Sequence, residues 1–145
     1  MARCTSRGVA SARVVHYSVQ GNHVHLVAEA SDRKVLAKRI QGLEVRIARA
    51  MNELMHRSGA VFADRYHARP LRTPLEVRRV IHYVLKNRQH HFPGRAARFD
   101  PYSSAAWFDG WTSPPARPID DEALVRPPRS WLLRIGWRRH GLLDA

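Results

Sequence analysis

The sequence predicts an α+β domain in which an antiparallel β-hairpin is followed by amphipathic helices. Two apolar and β-branched runs flank a turn signal at residues 20–22, which is typical of a hairpin. Apolar residues then recur every three or four positions over 36–54 and 77–85, the spacing of a buried helix face. With 145 residues, of which 44% are hydrophobic, the chain can bury one core.

The charge balance predicts a polyanionic partner. Lysine and arginine outnumber aspartate and glutamate by 25 to 12, and the formal net charge is +13. A GC-rich genome would explain the preference for arginine over lysine but not the shortage of acids. Nucleic acid is therefore the expected partner.

The sequence predicts a soluble protein of the cytoplasm. The single cysteine, Cys4, cannot form an intramolecular disulfide, which fits a reducing compartment and excludes a disulfide scaffold. No apolar run approaches the roughly 20 residues of a membrane helix, and we expect no secretory leader.

The hairpin carries two closely spaced histidines. Residues 1–12 are small, polar and basic, and we expect a disordered lead-in. Strands are predicted over 13–19 and 23–29. His23 and His25 would then share one side, with Val24 and Leu26 pointing the other way into a core. Neutral imidazole is the commonest metal ligand, so the pair is a partial metal site, although an isolated His-x-His is more often structural.

A long helix is predicted next, capped by Ser31 or Asp32 and ending before Ser58–Gly59. Its apolar stripe comprises Leu36, Ile40, Leu43, Ile47, Met51 and Leu54. The other face is either simply solvated or, as we favour slightly, in contact with phosphates; it carries Arg33, Lys34, Lys38, Arg39, Arg46 and Arg49.

Residues 61–69 alternate in a way that predicts a third strand. Arg65, His67 and Arg69 would share one face, opposite Tyr66 and Ala68. Basic groups interleaved with an aromatic ring suit a nucleic-acid surface, because charge follows phosphates while rings stack on bases. A strand with a solvated basic face has the same pattern.

A second helix begins with three agreeing signals. Thr73 can cap it, Pro74 suits the first position, and Glu76 completes a capping box. We expect it to run to about His90, before Pro93–Gly94, with an apolar stripe of Val77, Val80, Ile81, Val84 and Leu85. Tyr83 and Asn87 are four residues apart and should be neighbours at the rim of that stripe.

The remaining residues predict an irregular tail with a short helix. Trp107–Trp111 is an aromatic cluster that we interpret as a packing patch rather than a base-stacking platform. Residues 114–128 are rich in proline and should be extended. Ser130 can cap a helix over 131–140, closed by Gly141.

These pieces together resemble the single-tyrosine HUH transposases, in the branch called REP-associated tyrosine transposases. The matching residues are His23-Val24-His25 and the helix segment Tyr83-Val84-Leu85-Lys86-Asn87. Residues 61–66 resemble the strand before that helix, and Asp100-Pro101-Tyr102-Ser103-Ser104 resembles the connection after it. The likeness covers about residues 13–104, and the ending 131–143 is similar to one subgroup.

The resemblance implies a metal-dependent enzyme acting on hairpin-bearing single-stranded DNA, such as repeated extragenic palindromes. It also implies a bacterial protein associated with the nucleoid. Tyr83 would be the nucleophile, forming a 5′-phosphotyrosine and leaving a 3′-hydroxyl. His23, His25 and Asn87 would hold Mg²⁺ or Mn²⁺. We expect Mn²⁺ to bind at least as well as Mg²⁺, because imidazole-rich sites favour softer ions. Expected DNA contacts are Lys38, Arg46, Arg65, His67, Arg69 and Arg79.

The family fold is a ferredoxin-like α/β sandwich, with helices on one face of an antiparallel sheet. A strand and a helix normally precede the hairpin, yet only about a dozen residues precede Arg13. The start is misplaced, the copy is decayed, or another molecule supplies the strand, as in a homodimer. Expected domains are 13–104 and a C-terminal extension over 105–145. Two alternatives to the enzyme are a catalytically inactive nucleic-acid-binding protein and a structural zinc protein.

Overall fold

The computed structural model describes residues 11–88, 99–115 and 123–144, and these form an α+β structure. Its strands are β1 (Ala12–Val19) and β2 (Val24–Ala30), paired in a two-stranded antiparallel sheet. The α-helices of the described residues are α1 (Arg33–Leu54), α2 (Pro74–Leu85) and α3 (Trp131–Arg134). Two 3₁₀ helices span Ser104–Trp107 and Gly136–His140.

The chain divides into two compact units. The first comprises Met1–Ala12 and Ala30–Pro70, and the second comprises Arg13–Glu29 and Leu71–Ala145. The second unit therefore contains the hairpin, α2 and the C-terminal residues. Across its described ranges, the chain has no helix with the length and apolar character to span a bilayer.

The hairpin forms as predicted, but its core lies on the opposite side from the one expected. The backbone N–H of Gln20 donates to the carbonyl of His23 (2.9 Å), closing the turn. Val27, which shares the histidine side, is buried in one cluster with Ile81 of α2. Val24 is 37% exposed and Leu26 only partly buried, so their predicted burial in the core was wrong. The reason is that the apolar stripe of α2 packs on the histidine side.

In the first unit, α1 has the predicted cap, but most of its predicted apolar stripe is not buried. The Asp32 carboxylate accepts the Val35 N–H at 2.9 Å, which confirms the cap. Of the predicted stripe only Ile40 is buried, while Leu54 is 81% exposed. All six basic residues predicted on the other face are exposed.

The strand predicted over 61–69 was wrong. These residues are irregular, and the sheet of the described chain contains only β1 and β2. Alternating side chains suffice for a strand only if a neighbouring edge accepts its backbone hydrogen bonds. Between described residues, no backbone hydrogen bond joins this segment to a strand. Arg65, His67 and Arg69 are therefore exposed on a loop rather than aligned on a strand face.

The start of α2 is confirmed in detail. The Thr73 hydroxyl accepts the Glu76 N–H (3.2 Å), and the Glu76 carboxylate accepts the Thr73 N–H (3.1 Å). The predicted stripe is buried at every position except Val80, which is partly buried. After a turn at Lys86, Asn87 and Arg88 are helical again, and the predicted end near His90 lies outside the described residues.

The C-terminal residues belong to the same core as the hairpin and α2. Phe108 and Trp111 are each 4% exposed, and their rings meet edge to face at 5.1 Å. The Trp111 indole donates to the carbonyl of Ala105 (2.9 Å), which confirms a packing role for this aromatic cluster. Because the second unit extends from Leu71 to Ala145, the contacts show no division between 104 and 105.

The last predicted helix is present in two parts. Ser130 caps α3, and Gly141 ends the following 3₁₀ helix with a φ of 84°. The break falls at Ile135, and at the next residue, Gly136, an added Cβ would lie 2.7 Å from the Trp131 ring. Close packing of that indole on the backbone thus accompanies the change of helix type. Part of the predicted proline-rich extension, residues 116–122, lies outside the described residues.

Candidate active site

The second unit brings the four residues of the predicted site together. His25 lies in β2, and His23 immediately precedes that strand. Tyr83 lies in the last turn of α2, and Asn87 follows the turn at Lys86. Because α2 packs on the histidine side of the hairpin, its C-terminal end faces the two imidazoles.

The four side chains form a continuous series of contacts. The His25 and Tyr83 rings meet edge to face with centroids 5.3 Å apart, and the His25 and His23 centroids are 4.7 Å apart. The Asn87 Nδ2 is 3.5 Å from the Nε2 of His23. A tyrosine hydroxyl, two imidazoles and a carboxamide thus occupy one small region.

Asn87 is the most buried member of this group. Its side chain is 0% exposed, and its Oδ1 has no hydrogen-bond partner among the described residues. A buried polar atom without a partner costs about 1–3 kcal/mol. A bound cation or water would satisfy this oxygen, so the orphaned Oδ1 is the observation that best fits a ligand at this position.

Asn22 orients the His23 imidazole. Its side-chain Oδ1 lies 2.7 Å from His23 Nδ1. Because a carboxamide oxygen only accepts, this contact fits the tautomer in which Nδ1 donates to Asn22 and Nε2 faces Asn87. This is the tautomer that a metal-binding histidine needs, with the second nitrogen held by an outer partner. Asn22 lies in the turn predicted over residues 20–22, and its position directly before His23-Val24-His25 is the sequence signal for this contact.

The donor set is two imidazoles and one amide rather than a carboxylate cage. Within the described ranges, no three histidine, cysteine, aspartate or glutamate side chains converge. Imidazole nitrogen suits Mn²⁺, Zn²⁺ or Ni²⁺, whereas amide oxygen also suits Mg²⁺. His23, His25 and the Asn87 oxygen are the residues that could hold such an ion.

Tyr83 differs from Asn87 in being accessible. Its side chain is 45% exposed although its ring contacts His25. A buried phenol could not reach a polymeric substrate, whereas a half-exposed one at the edge of the site can. Arg79 lies one helical turn earlier on α2 and is also exposed.

A buried carboxylate fixes the segment next to the site. Asp100 is 5% exposed, and its Oδ2 accepts from the Gln20 side-chain amide at 3.0 Å. Its Oδ1 accepts the N–H of Tyr102 at 2.9 Å. The Tyr102 carbonyl in turn accepts the Val19 N–H at 2.8 Å. Residues 100–102 are thereby bound to the end of β1 that leads into the histidine turn.

His16 is a buried histidine outside the site. Burial lowers the pKa of its imidazole from 6.5 to about 4, partly opposed by the negative charge of Asp109. Its ring meets Phe108 edge to face at 5.2 Å, and its Nδ1 is 3.5 Å from the Ser104 hydroxyl. The imidazole is therefore neutral at physiological pH and belongs to the core.

The remaining predicted DNA contacts do not lie with these residues in the second unit. Five of them belong to the first unit, where all are exposed: Lys38, Arg46, Arg65, His67 and Arg69. The ion pairs formed between described residues are Arg13–Glu29 and Arg138–Asp109, and neither involves these five residues or Arg79. Comparison with family models, with curated proteins and with solved structures finds no match to this chain.

Proposed function

We propose that the protein is a metal-dependent nuclease and strand transferase that acts on hairpin-bearing single-stranded DNA through Tyr83. The observation that carries this proposal is the contact series from Tyr83 through His25 and His23 to Asn87. On this proposal the chain is a REP-associated tyrosine transposase, and its α+β structure is a version of the ferredoxin-like sandwich.

In the proposed reaction, the Tyr83 hydroxyl attacks a backbone phosphate. A bond forms between the tyrosine oxygen and phosphorus, and the bond from phosphorus to the 3′-oxygen breaks. The phenol loses its proton, and the departing oxygen takes up a proton to become a 3′-hydroxyl. The product phosphotyrosine remains a phosphodiester, so rejoining to another 3′-hydroxyl needs no nucleotide cofactor.

The other residues would prepare this step. A phenol is a weak nucleophile at neutral pH, so the phosphate must be activated. His23, His25 and Asn87 would hold the cation, which when bound neutralises charge developing on the phosphate oxygens. Asn22 orients the His23 ring, and the exposed side of Tyr83 would allow the DNA strand to reach its hydroxyl.

The test is a covalent adduct. The protein is incubated with Mn²⁺ and a labelled DNA hairpin bearing unpaired flanks, then separated under denaturing conditions. We expect a labelled protein band with the wild type and none with Tyr83→Phe. Tyr66→Phe is the matched control, because Tyr66 is 39% exposed but lies in the first unit. A band that persists in Tyr83→Phe would contradict the assignment of the nucleophile.

The metal preference is a separate prediction. By calorimetry, Mn²⁺ should bind at least as tightly as Mg²⁺, because two of the three donors are imidazoles. His25→Ala should abolish this binding, whereas His67→Ala, an exposed histidine of the first unit, should leave it intact. Clearly tighter binding of Mg²⁺ would contradict the proposed donor set.

A second candidate is a nucleic-acid-binding protein without chemistry. The fully exposed basic face of α1 favours it, since six cations on one helix can follow a phosphate backbone. Salt-sensitive binding of the hairpin with no adduct under any metal would support this candidate. Stoichiometric zinc without DNA affinity would instead indicate a structural zinc protein.

A further inference from the structure

We infer that Tyr102 and Arg88 form a base-stacking contact for the unpaired nucleotide beside the phosphate attacked by Tyr83. This inference rests on the proposed function, because it places the nucleotide relative to that site. The guanidinium of Arg88 lies 5.4 Å from the centroid of the Tyr102 ring. Such aromatic and arginine pairs bind single strands, because the ring stacks on a base while the cation follows the phosphates.

The pair lies at the same end of the hairpin as the histidines. Arg88 directly follows Asn87, whose amide contacts His23. On the other side, the Tyr102 carbonyl accepts the Val19 N–H, and the adjacent Gln20 N–H donates to the His23 carbonyl. These contacts form a closed path around the turn, so Tyr102 lies beside the candidate metal ligands.

Tyr102 combines an exposed ring with a fixed backbone. Its side chain is 59% exposed, whereas Asp100, which holds its N–H, is 5% exposed. The following Ser103 pairs with Ser18 of β1 in an antiparallel bridge. A ring that packs in the core would be buried, and a ring on a flexible loop would lose conformational entropy on binding. This ring is presented to solvent from a position that is already ordered.

The chain also contains a matched control pair. The Arg139 guanidinium lies 5.2 Å from the Trp131 ring centroid, and Trp131 is 48% exposed. This pair lies near the other end of the hairpin, because the Glu29 carboxylate at the end of β2 accepts the N–H groups of Arg129 and Ser130. The two pairs share their chemistry and differ in their distance along the hairpin from His23.

The experiment measures binding separately from cleavage. Full-length protein carrying Tyr83→Phe is titrated against a labelled DNA hairpin with short unpaired flanks, and fluorescence anisotropy gives Kd. A series of probes replaces one unpaired base at a time with an abasic residue. We expect one abasic position to weaken binding about tenfold, as loss of one stacked base does.

Adding Tyr102→Ala should weaken binding of the intact probe by the same factor. The variant should then bind the intact probe and the probe with that abasic position equally well. Tyr102→Phe, which keeps the ring, should restore both. Arg139→Ala should lower affinity without changing which abasic position matters, and thermal melting checks that each variant is folded.

Two results would overturn the inference. One is that Kd depends on the position of the abasic residue in Tyr102→Ala just as it does without that change. The other is that Arg139→Ala also removes this dependence. Failure of the proposed function looks different. In that case wild-type protein forms no adduct with Mn²⁺. One abasic position still weakens binding in a way that depends on Tyr102, so the stacking contact stands.

Discussion

Replacing Asn87 with leucine should stabilise the metal-free protein while removing the proposed metal site. Leucine has nearly the shape of asparagine but no polar atoms. The change removes a fully buried oxygen that has no partner among the described residues. It also removes the 3.5 Å contact of Nδ2 with His23, which is long for a hydrogen bond.

The magnitude follows from these two contributions. Relief of the buried oxygen contributes about 1–3 kcal/mol, and loss of a weak hydrogen bond costs about 0.5–1 kcal/mol. The net gain is about 1 kcal/mol in the free energy of unfolding, which raises Tm by about 2–4 °C for a chain of this size. Most buried substitutions destabilise, so the sign itself is informative.

The assay is urea unfolding with and without Mn²⁺, followed by circular dichroism. Wild-type protein should gain stability from the ion and the variant should not, since binding to the native state alone stabilises it. Asn52→Leu is the control, because Asn52 also has a buried Oδ1 but donates to the Gly59 carbonyl at 2.9 Å. A loss of more than about 1 kcal/mol in metal-free Asn87→Leu would refute the reasoning, since the amide would then be a satisfied structural group.

Two further predictions concern the core of the second unit. The pKa of His16 is about 4 when folded and 6.5 ordinarily, so its contribution to stability is complete above pH 6.5 and is lost between pH 6.5 and 4. The loss is about 3 kcal/mol in urea titrations, from 1.36 kcal/mol per pH unit, and the pH dependence of His16→Gln should lack it; identical pH profiles would contradict the shift. Gly110→Ala should cost about 1–3 kcal/mol, because the new Cβ would overlap the Trp137 and Phe108 rings, whereas Gly21→Ala, with open space around it, should change stability little. Equal melting temperatures for the two glycine variants would show that the rings move aside.

The features that could be read from the sequence are those fixed by neighbours along the chain. The cap at Asp32 and the capping box of Thr73 and Glu76 need only residues within one helical turn, and both are present. The hairpin turn before His23 is equally local. The convergence of His23, His25 and Tyr83 could be anticipated from their positions in the resembling motifs, whereas their roles remain proposals.

Other features could not be read, because they depend on what packs against each segment. Residues 61–69 alternate like a strand but have no strand edge to pair with in the described structure. The exposed fraction of Val24 follows from the choice of hairpin side that α2 covers. The local pattern encodes neither the presence of a neighbouring strand edge nor the side of the hairpin that is covered. An alternating strand offers two sides, and packing decides which one is buried.

The sequence by itself determined where the helices begin, where the hairpin turns, and which residue types could form a metal site. Only the tertiary structure decided that Asn87 is enclosed while Tyr83 stays accessible, and that the Tyr102 ring is exposed. The physical reason is that capping and turns are short-range hydrogen-bonding choices, whereas burial is a property of the packed whole. The Asn87 Oδ1 lacks a hydrogen-bond partner among the described residues because distant segments of the chain enclose it.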